Sequence, residues 1–184
     1  MKIRLLSAAV AAALALPSSA QETHDFPKPG PEHARLAKQF AGEWDVQSKF
    51  MMDPSQPPME SKGTESTRAD LGGFWLLGRF KGEMFGKPFE GQSILGYSPM
   101  KKKYVMTWVD SFMPHLFASE GDYDESKKTY TFVADGFDPA TGKPMKERWV
   151  FEVKDDDHHT MRFYSPAADG QERMTGEIRY TRRK

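Results

Sequence analysis

The alternation of side-chain types is clearest over residues 63–84, which read GTESTRADLGGFWLLGRFKGEM. Small or hydroxyl side chains alternate with charged ones over residues 63–70, and a second alternating run covers residues 74–84. Successive side chains of a β-strand point to opposite faces of its sheet, so the pattern predicts two strands. The Gly72-Gly73 pair between them predicts a tight turn, and the segment is therefore expected to form a β-hairpin.

The same period of two continues almost to the C-terminus, with turn residues every eight to fourteen positions or so. The predicted strands are residues 44–52, 59–70, 74–84, 88–97, 102–111, 114–123, 128–135, 145–153, 158–164 and, after 166–170, 172–182. Before them, residues 32–40 predict a short helix with Ala34, Leu36, Ala37 and Phe40 on one side and Pro31 in its first turn. The fold class predicted is all-β, a single antiparallel up-and-down barrel of about ten strands with one short N-terminal helix.

Closing such a meander removes its two edge strands, which would otherwise invite aggregation. With an even number of strands the first and last are antiparallel where they pair, which places Trp44 beside the stretch from Arg179 to Arg182. A helix, then Gly42-Glu43-Trp44, then a terminal Arg179 or Arg182 resembles the signature of the lipocalin and fatty-acid-binding superfamily. The resemblance implies that Trp44 packs across the closed end of the barrel under a basic side chain.

A more specific resemblance is to the bacterial family known as domain of unknown function 1579. It is carried by Gly42-Glu43-Trp44, by Gly63-Thr64-Glu65-Ser66 with Gly72-Gly73-Phe74-Trp75, by Leu95-Gly96-Tyr97-Ser98, and by Thr107-Trp108-Val109-Asp110-Ser111 followed by Glu120-Gly121. This resemblance implies a lipocalin-like (calycin-type) barrel. It implies no activity, because the family has no established catalytic residues to carry over.

The first twenty residues have the features of a secretory signal peptide. Lys2 and Arg4 precede an uncharged run of Ala and Leu, and Ser18 and Ala20 place small residues before a cut at Gln21. We therefore expect residues 1–20 to be removed, residues 21–31 to form an extended tail, and residues 32–184 to form one barrel domain. The expected location is periplasmic or secreted.

Composition narrows the classes of partner. Without Lys2 and Arg4 the chain has 24 basic and 26 acidic residues, and this near-neutral balance argues against nucleic acid as a partner. No stretch after the signal peptide predicts a membrane span. The absence of cysteine excludes disulfides, thiol catalysis and thiolate metal sites. A monomer or a homodimer fits these properties equally.

The preferred functional hypothesis is that a small, mainly apolar molecule binds inside the barrel. The expected lining residues are Phe80, Leu95, Met106, Trp108, Phe132 and Trp149, with polar contacts from Glu65, Arg68 or His115. The strand that holds Glu65 is polar on both faces, so its pattern leaves open which face is inside. Glu65 is therefore either a desolvated carboxyl group in the barrel or a surface partner of Arg68, Arg79 or Lys62.

Two other classes of function remain open at this stage. In one, Glu65 or Asp110 is the general base of an isomerase or hydrolase; in the other, the protein is a structural or envelope component without a pocket. Asp110, Ser111 and His115 could form a nucleophilic triad, but no nucleophile-elbow motif surrounds them.

No cofactor is predicted and no metal ligands are assigned. Met113 with His115 could hold Cu(I), and His115 alone could hold haem. His158 and His159 cannot chelate one ion together, because neighbouring side chains of a strand point to opposite faces.

Overall fold

A computed structural model describes residues 25–51, 55–138, 141–167 and 169–184, and the signal peptide predicted at residues 1–20 lies outside these ranges. The described residues form one α-helix, α1 (Pro31–Phe40), and ten strands. The strands are β1 (Gly42–Phe50), β2 (Met59–Asp70), β3 (Trp75–Met84), β4 (Lys87–Ser98), β5 (Lys103–Asp110), β6 (Phe117–Asp124), β7 (Thr129–Phe137), β8 (Pro144–Val153), β9 (His158–Pro166) and β10 (Glu172–Arg182).

The strands form a closed antiparallel barrel in which each strand pairs with its neighbours in the chain and β1 pairs with β10. The predicted fold class is therefore confirmed, including the strand number and the N-terminal helix. The predicted hairpin is β2 and β3, joined by a short 3-10 turn at Leu71–Gly73. Asp70 Oδ1 accepts a hydrogen bond from the Leu71 N–H and fixes the start of this turn.

Helix α1 covers one end of the barrel, which we call the closed end. Pro31 occupies the first turn, where its missing N–H costs no helical hydrogen bond, and the Gly30 N–H donates to His33 Nδ1 at 3.0 Å. The side chains of His33, Leu36 and Phe40 are buried against the barrel. No helix in the described ranges is long and apolar enough to cross a membrane.

The contact between Trp44 and the last strand seals the closed end. Trp44 lies opposite Arg182 in the β1–β10 register, and the Arg182 guanidinium is 4.1 Å from the centre of the indole ring. Arg182 also donates to the Ala41 carbonyl at 2.7 Å and to the Asp156 carbonyl at 2.8 Å. Gly42 leaves room for this guanidinium, because a Cβ at its φ of 144° would lie 2.2 Å from Arg182 Nη1.

Arg179, the other basic residue considered for this position, lies elsewhere. It pairs with Gln47 in the register and its exposed side chain forms an ion pair with Glu177. Arg182 is therefore the basic side chain that covers Trp44.

The barrel interior is apolar and rich in aromatic rings. Inward-facing positions alternate with outward-facing ones along every strand, as the burial of β1 and β7 shows most clearly. Around α1 the interior is filled by the rings of Phe40, Trp44, Tyr104, Tyr130 and Phe151. Beyond this packed layer, toward the other end of the barrel, the interior is open.

Candidate functional site

The candidate site is an internal cavity of about 170 Å³ between the packed closed end and the opposite end, which we call the mouth. Its wall is formed by side chains of β1 to β5 and β8 to β10, with Phe40 of α1 at its base. Strands β6 and β7 contribute no described residue to this wall. An apolar cavity of about 150 Å³ is large enough to bind benzene, so this one has room for a molecule with one or two rings.

Most of the residues expected at the wall do line the cavity. They are Glu65, Phe80, Leu95, Met106, Trp108 and Trp149. Phe132 is fully buried against Phe151, with ring centres 5.9 Å apart, and lies behind the wall.

The other two polar candidates do not reach the cavity. Arg68 is exposed on the outer face of β2, where its guanidinium pairs with Asp70 at 3.0 Å. His115 lies in the loop between β5 and β6, with its ring against those of Phe117 and Phe137. Neither side chain can be a direct contact for a molecule inside this cavity as the structure stands.

Glu65 lies on the inner face of β2, so the orientation that the pattern left open is now determined. Thr67 Oγ1 donates a hydrogen bond of 2.9 Å to Glu65 Oε1. Burial raises the pKa of the Glu65 carboxyl group, while the hydrogen bond from Thr67 opposes that rise. Glu65 thus combines direct contact with the cavity and a weakly solvated carboxyl group.

Several polar residues of the wall were not predicted from the sequence. They are Ser48, Ser61, Thr67, Ser93, His159 and Tyr180. Ser61 and Thr67 share the face of Glu65 by the period of two, and the assignment of that face would have revealed them. His159 follows in the same way from Met161 and Phe163, which lie on the same face of β9.

His159 is the buried histidine of the site. Its ring stacks on Tyr180 with centres 4.2 Å apart and meets the edge of Trp44 at 4.4 Å, and its Nδ1 makes no hydrogen bond. Burial, together with the charge of Arg182, lowers the pKa of His159 to about 3. His158 points outward and pairs with Asp155, so the two histidines separate as the strand geometry predicts.

Asp110 has a structural role that the sequence did not reveal. Its carboxylate accepts hydrogen bonds from Trp108 Nε1 at 3.0 Å and from the N–H groups of Phe112 and Met113 at 2.8 and 2.9 Å. It therefore fixes the cavity indole of Trp108 to the loop at the mouth. Glu147 holds Trp149 similarly, accepting from its Nε1 at 2.9 Å.

The possible triad does not assemble. Ser111 Oγ accepts from the Glu90 N–H, and no side-chain hydrogen bond joins His115 to Asp110 or Ser111. Within the described ranges, no group of three or more His, Asp and Glu side chains is arranged around a common metal position.

Sequence comparison identifies the family. The profile described as "Protein of unknown function (DUF1579)" matches residues 28–182. The chain belongs to the DUF1579 family. No curated protein sequence matches it.

Solved structures similar to this DUF1579 protein are calycin-like barrels. Rv2717c from M. tuberculosis superposes with a TM-score of 0.57 at 13% sequence identity, covering 84% of this chain and 99% of that one. The S-type phycobiliprotein lyase CPES from Guillardia theta has a TM-score of 0.51 at 12% identity, covering 85% and 99%. At these identities the likeness establishes the fold alone.

Proposed function

We propose that this DUF1579 protein binds a small, mainly apolar molecule in the cavity of its barrel. The observation that carries the proposal is the apolar cavity itself, bounded by Phe80, Met106, Trp108 and Trp149. Transfer of apolar surface from water to such a wall is favourable by roughly 25 cal/mol per Å², which would supply most of the affinity. A structural protein without a pocket would require a filled interior.

The mouth supports entry of an apolar molecule. Large apolar side chains remain exposed around it, namely Phe85, Phe112, Met113, Leu116, Phe137 and Met174. Phe112 also contacts the cavity residue Phe89, with ring centres 5.1 Å apart. These side chains form a continuous apolar path from the rim into the cavity.

The signal peptide expected at residues 1–20 places this binding in the periplasm or outside the cell. We extend the proposal to that compartment, where the protein would carry or sequester its ligand as a monomer or homodimer. Antibody detection of the chain in periplasmic, culture and cytoplasmic fractions tests this part; recovery in the cytoplasm alone would contradict it.

Binding can be tested by titrating indole, a neutral apolar probe, into the protein and following amide shifts by NMR. We expect saturable shifts at residues that line the cavity, such as Leu76 and Met106, and none on the outer face of β2. Shifts that never saturate, or that spread over the outer surface, would contradict the proposal.

A matched pair of variants locates the site. Ser61→Phe should fill the cavity, whereas Ser66→Phe places the same ring on the outer face of the same strand. Each substitution removes one hydroxyl hydrogen bond, from Ser61 to Ser48 or from Ser66 to Glu43. The first should abolish indole binding and the second should preserve it; equal effects would contradict an internal site.

A second candidate, general-base catalysis, is favoured by the buried carboxyl group of Glu65. Its raised pKa beside a cavity is what proton abstraction from a bound substrate requires. Deuterium uptake at the α-carbon of acetophenone tests this: the wild type should exchange faster than Glu65→Gln. Equal rates would leave binding as the function.

A further inference from the structure

The polar atoms of the cavity are concentrated at one place, above Gly78 of β3. A Cβ on Gly78 would lie 2.3 Å from Ser93 Oγ and 3.3 Å from both Glu65 Oε1 and Thr67 Oγ1. Three oxygens from β2 and β4 therefore surround one point because residue 78 has no side chain. We call Glu65, Thr67 and Ser93 the oxygen cluster.

The oxygen cluster lacks a counter-charge. Glu65 forms no ion pair in the described part of the chain, and no Lys or Arg is among the described residues that line the cavity. His159, the other basic side chain at the wall, is neutral at pH 7 because its pKa is lowered to about 3. The interior therefore offers a carboxyl group and hydroxyl groups, without any fixed positive charge.

The shape of the remaining wall suits the apolar body of an organic cation. Phe80, Phe89, Trp108 and Trp149 line the cavity on the way to the mouth. The faces of such rings attract cations, and a primary ammonium group has three N–H donors that match three clustered oxygens.

We propose that the ligand is a small primary amine whose ammonium group binds the oxygen cluster while its apolar body packs on the rings toward the mouth. This inference rests on the proposed function, since it needs the cavity to be a binding site. Thr67 keeps free lone pairs while it donates to Glu65, and Ser93 Oγ makes no hydrogen bond within the described residues. The ammonium supplies the charge that Glu65 lacks.

The same chemistry selects against anions. A carboxylate ligand would meet Glu65 and no cation, so repulsion and desolvation would both oppose its binding. A neutral alcohol of the same shape would keep the apolar contacts and lose the charge-assisted hydrogen bonds. Amine, alcohol and carboxylate should therefore bind in that order.

Calorimetric titration with three probes of one shape tests this order at pH 7. The probes are 2-phenylethylamine, 2-phenylethanol and phenylacetate. We expect the amine to bind the wild-type protein at least about tenfold more tightly than the alcohol, and phenylacetate to bind most weakly.

Two variants assign the preference to Glu65. Glu65→Gln should reduce the affinity for the amine about tenfold or more and change that for the alcohol less than about twofold. Glu60→Gln is the matched control, because Glu60 is exposed on the outer face of the same strand and pairs with Lys49 at 3.3 Å. It should change neither affinity.

The outcomes separate the two proposals. Equal binding of amine and alcohol by the wild type, or an unchanged amine affinity in Glu65→Gln, overturns the amine inference and leaves the binding function intact. Failure of all three probes and of indole to bind overturns the proposed function itself. If Glu65→Gln does not fold, the wild-type order of the three probes still decides the inference.

Discussion

The two ends of the barrel use the same strands in opposite ways. At the closed end Trp44 and Tyr130 are each only 1% exposed, and α1 covers them. At the mouth Trp108 and Phe163 line an open space, and no helix of the described residues covers them. Because side-chain alternation is the same at both ends, the difference comes from what is added: a helix and Arg182 at one end, short loops at the other.

Their polar groups differ in the same sense. At the closed end Trp44 Nε1 donates to the Phe40 carbonyl, and the Tyr130 hydroxyl donates to Gln39 Oε1. In the cavity the buried carboxyl group of Glu65 has one hydrogen bond, from Thr67, and no cation. The comparison suggests that the closed end stabilises the fold, while the mouth half has unused capacity to bind a ligand.

The largest expected effect compares two tryptophans. Trp44→Ala should lower the free energy of unfolding by about 3–5 kcal/mol, because it removes a fully packed indole and its hydrogen bond. Trp108→Ala should cost about 1–2 kcal/mol, since one side of that ring already faces open space. Urea unfolding of both variants measures the difference; equal losses would contradict the distinction between the ends.

A second comparison uses the two arginines of β10. Arg182→Met should lower the free energy of unfolding by about 2 kcal/mol, because it removes two charge-assisted hydrogen bonds and the contact with Trp44. Arg179→Met should change it by less than about 0.5 kcal/mol, because that side chain is 68% exposed. Thermal and urea unfolding would contradict this assignment if Arg179 were the costlier residue to lose.

The smallest effect is a pH slope from His159. Its pKa is about 3 in the folded protein and 6.5 in the unfolded chain, so only the unfolded chain takes up this proton between those values. The free energy of unfolding therefore falls as the pH falls through that window, by at most about 1.4 kcal/mol per pH unit from this group.

The matched substitutions His159→Phe and His158→Phe isolate that slope. The first should flatten the dependence between pH 7 and 5, and the second, at an exposed position, should leave it unchanged. Glu65, whose raised pKa acts with the opposite sign, is common to all three proteins and cancels in the comparison. Equal slopes in the wild type and His159→Phe would show that His159 is not buried in its neutral form.

Much of the fold could be predicted because it depends on local patterns. Strand period and turn residues define the meander, and closure of an even-stranded barrel predicts that Trp44 faces the end of β10. The choice between Arg179 and Arg182 needed the register, because only one of the two side chains turns inward.

The site was less accessible to sequence reasoning. Residues of β2 are small or polar on both faces, so alternation alone could not orient Glu65 or reveal Thr67. Asp110 was misleading because a carboxylate in a loop suggests chemistry, whereas here it holds an indole and two N–H groups. The oxygen cluster depends on the absence of a side chain at Gly78, which only the three-dimensional structure shows.

The most direct test of a packed closed end and an open mouth half is a crystal structure of the protein under xenon pressure. Xenon enters dry apolar cavities. We predict xenon among Phe80, Met106 and Trp149 and none around Trp44 and Tyr130. An interior without xenon, or xenon at the closed end, would contradict the account.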